Sequence, residues 1–210
     1  MVLPLLMTGF ERFLGNASNP SWAGLVRMME LRPELKKRVA VGSIPVVYGT
    51  AAIALKELVT RYEPRMVICL GMHGGVESSG RGLRTFYVER FAYNLDDCPA
   101  PDNAGNVRRD QPIVRSQSRD ASLASTIDSG MLLEGLMRSG AQAAVSDNPG
   151  RYLCNHLYFH ALLHSQVGGG KPQAGFIHVP PSSDLKDGAF SLDEMATKYG
   201  DLAAHILSVP

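Results

Sequence analysis

AQAAVSDNPGRYLCNHLYFHALLHSQVGGGKPQAGFIHV, residues 141–179, is the stretch that decides the fold. A short apolar run at 141–146, a helix-forming segment at 153–163 and a β-rich run at 174–179 are separated by turn residues, the pattern of a strand–helix–strand unit. The spacing leaves room for one helix and one return strand, and such βαβ alternation argues for a mostly parallel α/β sheet. Cys154 falls where the loop becomes the helix, and His178, 24 residues later, ends the second strand. A thiol at a helix start faces N–H groups that lack intrahelical partners and the positive end of the helix dipole, and both favour the thiolate. An imidazole at a strand end on the same sheet edge is placed to take up its proton. The pair therefore points to nucleophilic thiol chemistry.

Outward from this unit the alternation continues. Residues 2–8, 38–47 and 66–71 read as strands, 22–31, 51–61, 122–138 and 192–207 as helices, and 85–95 as β-rich. The segment DDCPAPDNAGNVRRDQP, 96–112, is dense in Pro, Gly, Asn and Asp and reads as one long loop, a kind of segment that often carries function. The expectation is a single three-layer α/β/α domain over residues 1–210, with a twisted, mostly parallel central sheet.

Composition narrows the function. With 45% hydrophobic residues the chain can bury a sizeable core, and with 21 basic against 20 acidic side chains its formal charge is +1. No overall field draws in nucleic acid or anionic lipid, so neither is expected as a partner. Cys69, Cys98 and Cys154 cannot all pair within one chain and show no CxxC spacing, which fits a reducing, cytoplasmic setting. The N-terminal VLPLLM is short for a signal sequence, and no later apolar run reaches the ~20 residues that span a bilayer. GMHGG at 71–75 follows a strand but lacks the GxGxxG or GxxxxGK[ST] pattern of a phosphate loop.

Four blocks in order, TGFERFLGNASNPSW from Thr8, LGMHGG with VERFAYNLDD and PDNAGN between Leu70 and Asn106, VSDNPGRYLCNH from Val145 and GFIHVP from Gly175, carry a resemblance to one family. The chain resembles the pyroglutamyl peptidases I, or pyrrolidone-carboxylate peptidases. The resemblance implies a cytoplasmic cysteine exopeptidase that removes an N-terminal pyroglutamyl residue from peptides, uses no metal or organic cofactor, and forms a homodimer or homotetramer. By position it implies Cys154 as nucleophile, His178 as base and Glu89 as the acidic partner. It also implies a ring pocket lined by Phe10, Phe13 and Tyr152, with backbone groups from Gly71, Met72 and His73 facing the lactam.

The ligand's chemistry agrees with such a pocket. A pyroglutamyl ring is small, flat and uncharged with one lactam N–H and one C=O, so it calls for apolar walls and two hydrogen-bonding groups, with no carboxylate for an ammonium. Taken singly, each residue has a plainer reading: Cys154 as an apolar helix residue, His178 as a hydrogen-bonded structural histidine, Glu89 as an ion-pair partner of Arg90, and the two phenylalanines as loop anchors. Their joint occurrence in order is what favours the site. His156, His160 and His164 form a rival array on one helix, but Asn155 and Leu157 flank His156 where an HExxH site needs glutamate, and the third histidine lies two turns from the first.

The chain also departs from the pattern it resembles. Val76 and Glu77 stand where the family usually has an arginine, for which Arg81 or Arg84 is a candidate substitute, and Cys98 and Pro99 follow LDD where the family commonly continues DDAR. Extra residues around Arg108 and Arg109 lengthen the next loop. These changes keep open a second reading, a diverged or noncatalytic member that binds a lactam or peptide N-terminus without efficient turnover.

Overall fold

The computed structural model describes residues 3–13, 15–73, 82–185 and 188–209. A six-stranded sheet runs in the order β2 (Val39–Ile44), β1 (Leu5–Phe10), β3 (Met66–Met72), β10 (Gln173–Val179), β4 (Thr85–Glu89), β9 (Gln142–Ser146). All neighbours are parallel except β10 and β4, which run antiparallel. The sheet is mostly parallel, as its alternating sequence requires. Its two parts, β2-β1-β3 and β4-β9, are joined only by β10, the last strand in the chain.

Period-two alternation assigns each face. β1 sends Leu5 and Met7 to one side and Leu6 and Phe10 to the other, while β3 divides Ile68 and Leu70 from Val67 and Cys69 in the same way. The first face packs on α1 (Pro20–Leu31), α3 (Ser129–Arg138) and α5 (Leu192–Ser208) through Leu25, Met28, Leu136, Tyr199 and Leu202. The second packs on α2 (Thr50–Tyr62) and α4 (Leu153–Val167) through Leu55, Val59, Leu157, Tyr158 and Phe159. Three layers result. Among the described residues no helix is long and apolar enough to cross a membrane.

Two expectations are corrected. Residues 122–138 are not one helix: β8 (Ser122–Ala124) pairs with β5 (Phe91–Tyr93), and α3 starts only after Asp128, whose carboxylate accepts the N–H groups of Gly130 and Met131. A capping aspartate inside an otherwise helical stretch marks its true beginning. Residues 96–112 are not a featureless loop either. β6 (Asp96–Cys98) and β7 (Arg108–Gln111) form an antiparallel ribbon held by Asp96–Arg108 and Asp97–Arg109 ion pairs at 2.8 and 2.7 Å.

The motif PDNAGN at the tip of this ribbon is a structural staple. Burial pushes the Asp102 carboxyl up, but hydrogen bonds from the Asn106 side chain and from the backbone N–H groups of Tyr48, Asn106 and Ala104 outweigh it and hold the group below the usual carboxylate range. Asn103 then donates to the Arg12 carbonyl at 2.8 Å, tying the ribbon to the first loop. At the base of that loop Asn19 caps α1 and donates to the Glu11 carbonyl, and a Cβ on Gly9 would lie 2.1 Å from the Ser21 carbonyl oxygen. Only glycine lets the strand and helix approach so closely.

Candidate active site

The site forms where α4 begins above the ends of β3 and β10. Asn19, Asp128 and Ser191 cap α1, α3 and α5 with their side chains, whereas Tyr152 at the start of α4 makes no side-chain capping bond. Its ring instead packs against Phe13 and Tyr48, with centroids 5.2 and 5.8 Å away, and its hydroxyl donates to the Pro101 carbonyl at 2.8 Å. The polar tip of this aromatic wall is therefore satisfied. Cys154 follows in the first turn and is half-buried. Asn155 beside it is fully buried and holds the backbone of Tyr93 and Leu95, fixing the helix start to the segment after Glu89.

Strand register sets the rest of the geometry. A Cβ on Gly71 would lie 2.7 Å from Cys154 Sγ, so the sulfur sits directly over this glycine. Gly71 is paired with His178 across the β3–β10 ladder, and paired residues of parallel strands share a face about 4.8 Å apart. The register thus brings thiol and imidazole to one spot. His178 Nδ1–H donates to Glu89 Oε1 at 2.7 Å, and neither side chain is more than 6% exposed. Glu89 reaches it diagonally: β4 runs antiparallel to β10, with Glu89 opposite Phe176 and Tyr87 opposite His178. Behind the pair, the buried Tyr158 donates to the Glu89 carbonyl at 3.0 Å, and the Phe176 ring lies 4.9 Å from the His178 ring.

Cys154 and His178 open into a cleft of about 670 Å³ that is also lined by Phe10, Phe13, Met72, His73 and Tyr152. Gly71 lies under the sulfur, and the His73 N–H is engaged by the Val179 carbonyl at 3.0 Å. Sequence reasoning missed further lining residues: Cys98, Ala100 and the loop Asn148, Pro149, Gly150 and Arg151. Cys98 had one visible signal, its place in the departure after LDD. Arg151, three residues before the nucleophile position, had none.

The remaining candidates lie elsewhere. Arg84 donates to the Ala189 carbonyl at 2.9 Å and stacks over Phe190, away from the cleft, while Val76, Glu77 and Arg81 fall outside the described residues. His156 is turned to Asp96 at 2.9 Å, and His160 stacks on it at 4.8 Å. An apolar groove of about 310 Å³ between α2 and α4 includes His160 and His164 but neither Cys154 nor His178.

The profile of the pyroglutamyl peptidase family matches residues 3–192. The chain belongs to this family of enzymes. Pyrrolidone-carboxylate peptidase 1 of Photorhabdus laumondii is 34% identical to this pyroglutamyl peptidase family member over 181 residues, covering 84% of this chain and 78% of that protein. The Clavibacter michiganensis pyrrolidone-carboxylate peptidase is 32% identical over 197 residues, covering 92% and 87%. Among solved structures, pyroglutamyl peptidase I of Bacillus amyloliquefaciens superposes with a TM-score of 0.82 at 27% identity, covering 96% and 95% of the two chains. A mutant pyrrolidone carboxyl peptidase from the hyperthermophile Pyrococcus furiosus gives 0.81 at 27% identity, covering 99% of each. The fold of this family member is thus that of its relatives along almost its whole length.

Proposed function

We propose that the chain hydrolyses the bond after an N-terminal pyroglutamyl residue, with Cys154 as nucleophile, His178 as general base and acid, and Glu89 as its orienting carboxylate. The observation that carries this reading is the 2.7 Å bond from His178 Nδ1 to Glu89 on the strand whose neighbour, Gly71, lies under the Cys154 sulfur. A carboxylate on Nδ1 fixes the tautomer that leaves Nε2 to take the thiol proton, and it stabilises the imidazolium that results. The thiolate attacks the pyroglutamyl carbonyl, the C–N bond breaks, and His178 returns the proton to the departing amine. Water activated by His178 then cleaves the thioester, releasing pyroglutamate and the thiol. The Cys154 N–H, in the first turn of α4, is suited to the developing oxyanion; one such donor contributes about 3–4 kcal/mol elsewhere.

Phe10, Phe13 and Tyr152 are the proposed walls for the lactam ring, and Gly71, Met72 and His73 its proposed backbone partners. The cleft wall bears no Asp or Glu among the described residues, which suits a substrate terminus without an ammonium. The same reading carries no metal or organic cofactor, a cytoplasmic location and a homodimer or homotetramer, the last checked by sedimentation.

A second reading, binding without efficient turnover, is favoured by the rim. Arg84 is committed to Ala189 and Phe190, and Cys98 and Ala100 occupy the cleft wall. Release of a reporter amine from an L-pyroglutamyl amide, compared with a prolyl amide and with Cys154→Ser, separates the two. Wild-type release that vanishes in the variant, with the prolyl amide untouched, is the expected result. No release from folded, reduced protein overturns the peptidase reading.

A further inference from the structure

The cleft, about 670 Å³, is larger than a five-membered lactam needs, and its lining carries one permanent cation among the described residues. Phe10, Phe13 and Tyr152 carry no formal charge, whereas Arg151 is the one lysine or arginine lining the cleft among the described residues. Arg151 and Tyr152 are successive residues leading into α4, and the extended backbone at Tyr152 turns their side chains to different sides. Tyr152 faces Phe13 and Tyr48; the Arg151 guanidinium lies over the Tyr93 ring, 4.1 Å from its centroid.

The surrounding arginines make the contrast. Arg90 is paired with Asp147, Arg108 with Asp96 and Arg109 with Asp97. Arg151 is half-buried, has no carboxylate within ion-pair distance among the described residues, and donates from Nη1 only to the carbonyl of Gly150 at 2.7 Å. Tyr93 is itself held, its hydroxyl on the Asp147 carbonyl at 2.7 Å and its backbone on Asn155. A guanidinium held over a fixed aromatic ring loses less freedom on binding and can offer its N–H fork to a carboxylate.

We infer that Arg151 is a specificity-determining residue that receives a carboxylate on the leaving side of the scissile bond. This rests on the reading of Cys154 and the ring pocket proposed above: with the lactam on Phe10, Phe13 and Tyr152 and its carbonyl at Cys154, the departing residue is assigned to the rest of the cleft, which Arg151 lines. The carboxylate has two sources, an acidic side chain on the residue after pyroglutamate or the α-carboxylate of a pyroglutamyl dipeptide. A basic residue in that place meets the guanidinium as a like charge and is disfavoured.

The test is kcat/KM for pyroglutamyl-Glu, -Gln and -Lys amides, and for pyroglutamyl-Ala as free acid and as amide, at low and at about 1 M salt, where the Debye length falls to about 3 Å. Wild type is expected to favour Glu over Gln, or free acid over amide, by about tenfold, carried by KM and largely lost at high salt. A gain confined to the first pair assigns the side chain; one confined to the second assigns the α-carboxylate. Arg151→Gln should bring the ratio near one, Arg151→Lys should keep part of it, and Arg151→Glu should favour the lysyl substrate. Because each value is a ratio within one variant, a general loss of activity cancels. Should the variants fail to fold, the salt dependence of the wild-type ratio decides alone. Turnover with equal rates on charged and neutral partners, or a preference that survives Arg151→Gln or high salt, overturns the inference and leaves the peptidase reading intact. Absence of turnover on every pyroglutamyl substrate takes down both.

Discussion

Cys69 and Cys154 face the same side of the sheet and differ in almost everything else. Cys69 is two residues, about 6–7 Å, along β3 from Gly71, the residue under the Cys154 sulfur. Yet Cys69 is fully buried, and burial pushes its thiol up to about 12. Cys154 starts a helix that no side chain caps, is half-exposed, and opens into the cleft with a histidine already tied to a carboxylate. On the role proposed for Cys154, proximity to the site is therefore not what makes a thiol reactive. The helix terminus and the oriented base distinguish them, and the same chain supplies its own control.

Removing the orienting carboxylate should collapse that difference most. Glu89→Gln keeps the shape but favours the wrong imidazole tautomer, and turnover of a pyroglutamyl amide is expected to fall by about 10³-fold or more. An equally active variant would mean that Glu89 only packs. At neutral pH a thiol near 12 has roughly one thiolate in 10⁵, so iodoacetamide with peptide mapping should label Cys154 at least a hundredfold faster than Cys69. Equal labelling of folded protein would remove the contrast altogether. Gly71→Ala puts a methyl 2.7 Å from both the sulfur and the Phe176 ring. It should lower kcat by about tenfold to a hundredfold through misplacement of the nucleophile, with KM less affected. A control away from both thiols has the smallest effect. Burial first, and then the neighbouring His156, push the His160 imidazole down to about 4. The folded state holds it neutral while the unfolded chain takes up a proton below about 6.5, so stability is lost as pH falls from 6.5 towards 4. Allowing for its partial exposure, His160→Gln should remove on the order of 1 kcal/mol of that loss, seen as a flatter dependence of urea midpoint on pH.

Much of this was legible from residues alone. The apolar runs, their spacing and the helix between them foretold the layered sheet, and the family resemblance proposes Cys154, His178 and Glu89 because each sits in a distinctive block. What the local pattern lacked was pairing. Nothing in TFYVE reveals that β4 lies antiparallel to β10, although that reversal lets Glu89 reach His178 diagonally. The β6–β7 ribbon read as loop because its ion pairs join residues 12 apart, beyond the reach of helical or strand periodicity. Asp128 is a helix-start residue in its own right, but the apolar residues on either side of it carry a continuous helical period. Arg151 had no local signal, since an unmatched cation is defined by partners that are distant in sequence.

The strand order has a consequence for how the molecule comes into being on the ribosome. Glu89 arrives with one part of the sheet and Gly71 with the other, while His178 is carried by β10, the strand made last and inserted between them. A chain whose synthesis has stopped before residue 173 holds Cys154 and Glu89 but has neither the imidazole nor the strand that joins its halves. On the roles proposed for Cys154 and His178, completion of the sheet and arming of the thiol are thus one event.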